Sequence, residues 1–154
     1  GESTKSLAEI HPEHLIVGID KSAVRLKKHK RTNRANYLLL NSYCEAIWEE
    51  LTARKIRVDF HYILYPNPWP KSKHLMRRVH GHPAFATLTR LGGDVELRSN
   101  WACYVEEFHL AMLMAGASGN IAVLHNITPI TPFERKFDKS GHTLWQYKGK
   151  LSAD

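Results

Sequence analysis

Two short segments at the start of the chain carry residue types suited to binding a nucleotide. Gly1-Glu2-Ser3-Thr4-Lys5-Ser6 is followed by Val17-Gly18-Ile19-Asp20. A glycine ahead of a Ser/Thr-capped helix lets backbone approach a ligand, and the helix N-terminus offers free amides. An acid closing the next apolar strand can accept both hydroxyls of a ribose. Only the last glycine of such a loop is present and no strand precedes it, so a first strand and glycine loop are expected ahead of Gly1. Asp20 also reads as the N-cap of a helix over residues 21–30. Spacing alone leaves both roles open.

Tyr65-Pro66-Asn67-Pro68-Trp69-Pro70-Lys71 is the most specific segment. Three alternating prolines exclude helix or strand interior and hold a rigid loop. That loop presents an amide, Asn67, and an indole, Trp69. Base–aromatic stacking is worth about 1–3 kcal/mol. Lys71, Lys73, His74, Arg77 and Arg78 follow at once and suit phosphate oxygens. The plainer alternative is a rigid turn with a core tryptophan; the cations behind it weigh against that.

Thr131-Pro132-Phe133-Glu134-Arg135 has the Thr and Glu spacing of a capping box. It would equally bring a hydroxyl and a carboxylate into a site, and the pattern does not choose. His80-Gly81-His82 has no Cys or acid at ligand spacing and sits among cations, so no metal is expected. Ser99 lacks a His/Asp partner and a nucleophile elbow, which disfavours a hydrolase.

The elements that must position these residues follow from periodicity. Residues 4–10 read as a short helix and residues 15–20 as a buried parallel strand. Ser22 caps a helix with Ala23, Val24 and Leu26 inward. Residues 37–40 form a strand, 44–54 a helix and 58–65 a strand stopped by the prolines. Residues 82–90 are helical, and Gly92-Gly93 turns the chain into a strand over 94–98. Residues 101–115 give the longest helix, with Tyr104, Val105, Phe108, Met112 and Leu113 on its apolar side; Ser118-Gly119-Asn120 is expected to break it. Strands over 121–124 and 143–147 close the chain. Alternation with short connections implies an α/β fold with a mostly parallel sheet and one domain over residues 1–154. In such sheets ligands bind beyond the strand carboxyl ends, where Asp20, the Pro-rich loop and Arg98-Ser99-Asn100-Trp101 all fall.

Composition bounds the function class. The 154 residues are 43% apolar, enough for a core, and no apolar run of about 18 residues predicts a membrane span. Cys44 and Cys103 lie in apolar helical patterns and read as reduced core thiols of a cytoplasmic protein. Net charge is +7 with ten histidines. The cations gather in two blocks: Lys21, Arg25, Lys27, Lys28, Lys30, Arg31 and Arg34, then Lys71, Lys73, Arg77 and Arg78. Such a field favours a nucleic-acid partner.

With these residues in view, the chain resembles the tRNA (guanine-N7)-methyltransferase family from Gly1 to about Lys148. Gly1-Glu2-Ser3-Thr4 looks like the tail of the family's glycine-rich S-adenosylmethionine (SAM) loop, and Val17-Gly18-Ile19-Asp20 like its second strand with the ribose acid. Pro66 to His74 with Arg77-Arg78 resembles its Asp-Pro-Trp-Pro-Lys loop and basic tail. Ser99-Asn100-Trp101 resembles its Thr/Ser-Asp-Trp segment, and Thr131-x-x-Glu134 its Thr-x-x-Glu motif. Asn67 and Asn100 stand where the family has acids, and Tyr43 where an acid near the adenine is expected.

The resemblance implies a Rossmann-like fold with helices on both sheet faces, its first strand and glycine loop missing from this chain. It implies SAM as cofactor, tRNA as partner, no metal, and a monomer or homodimer. It assigns Gly1, Asp20 and Thr131 to the cofactor and Asn67 and Glu134 to catalysis. Trp69, Lys71, Lys73, His74, Arg77, Arg78 and Asn100 go to the RNA substrate. Two alternatives remain: a non-catalytic RNA-binding module, and transfer to an exocyclic amine, since Asn-Pro also resembles the Asn-Pro-Pro-aromatic motif of amino-methyltransferases.

Overall fold

The computed structural model describes residues 1–29 and 36–152; Lys30, Arg31 and Arg34 of the first basic block lie outside the described residues. Helix α1 (Glu2–Ile10) leads into β1 (Ile16–Asp20), then α2 (Ala23–Lys27) and β2 (Tyr37–Asn41). Helix α3 (Cys44–Ala53) precedes β3 (Phe60–Leu64), and two short 3-10 turns, Ser72–Arg77 and Val79–Gly81, follow the proline loop. The remainder is α4 (Phe85–Leu91), β4 (Gly93–Ser99), α5 (Ala102–Met114), β5 (Ser118–Val123), α6 (Pro132–Lys139) and β6 (Trp145–Leu151).

The strands form two hydrogen-bonded sheets. Parallel β1 and β2 make one, and β3-β4-β6-β5 in that order make the other. Strands β3 and β4 pair in parallel, whereas β6 runs antiparallel to both β4 and β5. Thus β3, β4 and β5 share a direction that β6 alone opposes, a reversal that periodicity does not reveal.

Helix α1 lies against β1 because Gly18 has no side chain. A Cβ there would overlap Thr4 Oγ1 and meet Leu39 Cδ2 at 2.9 Å. Asn36 pins the entry to β2 by donating to the carbonyls of Ala8, His11 and His14 at 2.9–3.2 Å. The α1–β1 loop then reaches the second sheet: His11 stacks on Phe60 at 4.8 Å and its Nε2 lies 2.8 Å from the Tyr62 hydroxyl.

Alternation along β4 explains the second core. Val95, Leu97 and Ser99 are buried while Asp94, Glu96 and Arg98 face the other way. Val95 and Leu97 pack with Tyr104, Val105, Phe108 and Met112 of α5 and with Tyr147 and Leu151 of β6. Trp48 of α3 joins Leu88 and Leu91 of α4 beside them. Each such side chain contributes roughly 1.5–3 kcal/mol by leaving water. The opposite sheet face holds a cavity of about 490 Å³ lined by Phe60, Tyr62, Asp94, Glu96, Lys148 and Lys150. It lies toward the amino ends of β3 and β4, away from the strand ends where the motifs gather.

Several expectations from periodicity are corrected. Ala23 and Val24 are exposed and only Leu26 is partly covered, because α2 runs a mere five residues. Leu113 is 49% exposed, on the outer side of α5. That helix stops at Gly116 with φ 85°, a left-handed C-terminal turn that glycine accommodates, and residues 118–120 are already strand. Cys44 and Cys103 are free and exposed rather than core residues. No helix among the described residues is long and apolar enough to cross a membrane.

Candidate active site

The carboxyl ends of β3 and β4 meet where the Tyr65 N–H donates to the Arg98 carbonyl at 2.9 Å. Tyr65 then takes a left-handed backbone, φ 51°, which a non-glycine residue adopts only when surrounding contacts hold it there. Those contacts are visible. The Tyr65 hydroxyl donates to Glu134 Oε1 at 2.8 Å, and Arg98 Nη1 donates to the same oxygen at 2.7 Å. Burial and the carboxylate together push the Tyr65 phenol far up, so it stays a donor.

Glu134 is wholly buried. Its Oε2 accepts the Ile130 N–H at 2.9 Å, and its own N–H donates to Thr131 Oγ1 at 3.0 Å. Thr131 therefore caps α6, as the capping-box reading expects, and the Glu134 carboxylate ties α6 to the ends of β3 and β4. With both oxygens engaged, Glu134 sits behind the site surface rather than on it. This corrects its assignment as a group touching the reacting atoms. Burial alone would disfavour the Arg98 charge, but Glu134 and Glu96 (2.8 Å from Nε) outweigh that and keep the guanidinium charged.

The next residue, Arg135, forms a two-pronged ion pair with Glu2, bringing α6 to the start of α1. Gly1 is the N-cap of α1 and offers no side-chain cap, so among the described residues no N-cap side chain takes up its first-turn amides. Asp20, at the end of β1, accepts the Ser22 N–H at 2.9 Å and a bidentate Arg25 guanidinium at 2.7 and 2.9 Å. The cap of α2 is Ser22, whose Oγ accepts the Arg25 N–H, so Asp20 is not the N-cap.

Arg135 and Arg25 hold the Glu2 and Asp20 carboxyls below their ordinary range. A depressed folded value means a contribution fully present above about pH 4–5 and lost as pH falls through the folded values. Melting temperature should therefore drop on acidification from pH 5 to 3; a rise over that interval would contradict the pairing.

The Pro-rich loop is fixed from within and from below. The Trp69 N–H donates to Asn67 Oδ1 at 3.2 Å, and the Trp69 carbonyl accepts Nε and Nη2 of Arg78 at 3.1 and 3.0 Å. Arg78 Nη1 continues to Glu107 on α5 at 2.6 Å, and His80 Nε2 lies 2.9 Å from the same oxygen. Arg78 is 5% exposed, so it anchors the loop and is not a free phosphate ligand, a correction to its expected place among the basic contacts. Lys71, Lys73 and Arg77 are exposed and His74 half-buried. The Arg77 guanidinium lies 5.0 Å from the Trp69 ring centroid, and His74 meets that ring edge-on. Asn100 is half-buried at the adjacent end of β4, beside Ser99, whose Oγ accepts the Trp101 N–H.

Sequence reasoning put Tyr65 and Arg98 at the strand ends but missed their shared bond to Glu134 and the Arg25 pairing with Asp20. Strict alternation over residues 94–98 is the signal that puts Arg98 on the face of Glu96. Asp20, the Pro-rich loop and Asn100 all follow strand carboxyl ends, where α/β folds bind ligands.

A family profile described as "Putative methyltransferase" matches residues 1–147. The tRNA (guanine-N(7)-)-methyltransferase of Stutzerimonas stutzeri (strain A1501) is 30% identical over 96% of this chain and 67% of its own length. The chain belongs to the tRNA (guanine-N7)-methyltransferase family. A family member from Hydrogenovibrio crunogenus is 28% identical, covering 94% of this chain and 65% of its own. This chain thus spans about two thirds of the length of the curated relatives it matches.

Among solved structures, an antibiotic-related methyltransferase aligns with TM-score 0.65 at 13% identity, covering 98% of this chain and 83% of its own. The 16S rRNA (adenine(1408)-N(1))-methyltransferase from Catenulisporales acidiphilia, solved with its cosubstrate SAM, aligns with TM-score 0.61 at 16% identity over 99% and 81%. The fold is accordingly Rossmann-like. Family membership carries the enzyme class, a methyltransferase, and SAM as methyl donor.

Proposed function

We propose that the protein methylates N7 of guanine in tRNA. The observation that carries this reading is the pinned Pro66–Pro70 loop, which holds an exposed Asn67 and an indole at the end of β3 among exposed cations. Relatives bearing the tRNA (guanine-N(7)-) name support the base and the RNA class.

Residues of this chain fit the cofactor. The uncapped amides of α1 suit its polar end, the ionised Asp20 carboxylate suits ribose hydroxyls, and the Thr131 hydroxyl, accepting from Glu134 N–H, keeps its own proton to donate. When bound, SAM supplies an electrophilic sulfonium methyl: the N7 lone pair forms the N–C bond as the C–S bond breaks, and no proton leaves. The protein therefore needs no general base, which agrees with a Glu134 whose oxygens are both occupied. Its task is alignment of N7 and exclusion of water. Asn67 Oδ1 already accepts the Trp69 N–H, and the amide nitrogen, the donor of this side chain, is the group assigned to the base. A donor there matches guanine O6. Lys71, Lys73 and Arg77 hold phosphates, with His74 beside them and Asn100 at the neighbouring strand end.

Arg25 competes with a ribose for Asp20. Asp20→Ala should weaken SAM binding by calorimetry, whereas Arg25→Gln should tighten it by up to about fivefold, the worth of an exposed ion pair. Unchanged affinity in Asp20→Ala would remove that residue from the ribose role. The function itself is tested by transferring label from SAM to bulk tRNA with the natural full-length protein, followed by nucleoside analysis. Label in 7-methylguanosine supports the proposal. Label only in another nucleoside overturns the N7 assignment, and tRNA binding without label favours a non-catalytic module.

A further inference from the structure

Phe133 is an aromatic side chain that the site as described does not use. It follows Pro132 in the first turn of α6, one residue before Glu134, and is 55% exposed. Two other rings pack beside it. Tyr65 stacks at 6.2 Å with a 28° interplanar angle, and Phe137 at 6.1 Å with 24°.

The backing is rigid. Tyr65 is held by its hydrogen bond to buried Glu134 and by a left-handed backbone, and Phe137 also packs on His142. Thr131 capping fixes the turn that carries Phe133. A phenyl ring is thus kept half in water, and the Tyr65 ring beside it stands two residues before Asn67 in the chain. Trp69 is less free for this work, since Arg77 already covers its ring.

We infer that Phe133, braced by Tyr65 and Phe137, is the seat on which the target purine stacks while Asn67 reads its edge. This inference rests on the proposed RNA-methylating function. Stacking is sequence-tolerant and needs only a flat ring, so shape rather than volume is the property to test. Phe133→Leu keeps apolar bulk and loses planarity; Phe133→Tyr keeps planarity. Loss of one base–aromatic stack corresponds to about a 5- to 150-fold effect.

With the natural full-length protein, Phe133→Leu should lower kcat/KM for tRNA within that range, leave SAM affinity and melting temperature unchanged, and be rescued by Phe133→Tyr. An equal kcat/KM for Phe133→Leu and the natural enzyme overturns the inference and leaves the function standing. A natural enzyme inactive on every RNA overturns the function. In that event the seat is still decided by fluorescence of a single-stranded RNA carrying 2-aminopurine in place of guanine. Quenching that Phe133→Leu loses and Phe133→Tyr keeps supports the seat, and equal quenching by all three overturns it.

Discussion

Glu134→Ala is expected to lose on the order of 10 °C in melting temperature and nearly all methyl transfer. The carboxylate is fully buried and serves three donors: the Tyr65 hydroxyl, Arg98 and the Ile130 N–H. Removing one partner of a buried charge pair typically costs about 3–5 kcal/mol, because the other charge stays in place without compensation. For a chain of this size each kcal/mol is worth about 2–4 °C. Arg98 would keep only Glu96, and Tyr65 would lose the bond that holds its strained backbone. Glu134→Gln separates charge from geometry. Its carbonyl oxygen can still serve Tyr65 and Arg98, but its amide nitrogen cannot accept from Ile130, so an intermediate loss is expected. Thermal denaturation paired with turnover checks both variants; an alanine variant melting within 2 °C of the natural protein would contradict the tie.

Arg78→Lys should nearly abolish methyl transfer without changing the salt dependence of RNA binding. Three guanidinium nitrogens join the Trp69 carbonyl to Glu107, and a lysine ammonium cannot span that fork. Trp69 has φ 44°, so its loop relaxes once the carbonyl is released. Contacts to phosphate behave differently. Each exposed cation removed at Lys71, Lys73 or Arg77 should reduce the slope of log K against log salt by about 0.7–0.9. Binding isotherms at several salt concentrations distinguish the two roles. A slope reduced in Arg78→Lys as in Lys73→Ala would return Arg78 to the phosphate surface.

The part of the site made by backbone punctuation was legible in the sequence. Prolines 66, 68 and 70 ended β3, Ser22 capped α2, and Thr131 capped α6. These effects are local, and residue type alone determines them. The roles of the charged residues were not legible, because burial depends on the whole fold. Arg78 and Arg77 are adjacent and chemically identical, yet one lies beneath the loop and the other over its tryptophan. Glu134 looked like a site acid, and only tertiary packing revealed three donors around it. Strand order was hidden for a similar reason. A short apolar run carries no direction, so residues 145–151 gave no sign of running against their neighbours.

That order has a consequence for how the polypeptide matures. Strands β4 and β5 are not hydrogen-bonded to each other; β6, which follows both in sequence, separates and joins them. While residues 145–151 are still unavailable, both present open edges, with Val95, Leu97 and Ile121 lacking their cross-strand neighbours. Unpaired edges beside apolar side chains are sites of intermolecular pairing, and such distant closures are slow. The half-made sheet is therefore most exposed to aggregation in the interval between the emergence of β5 and that of β6.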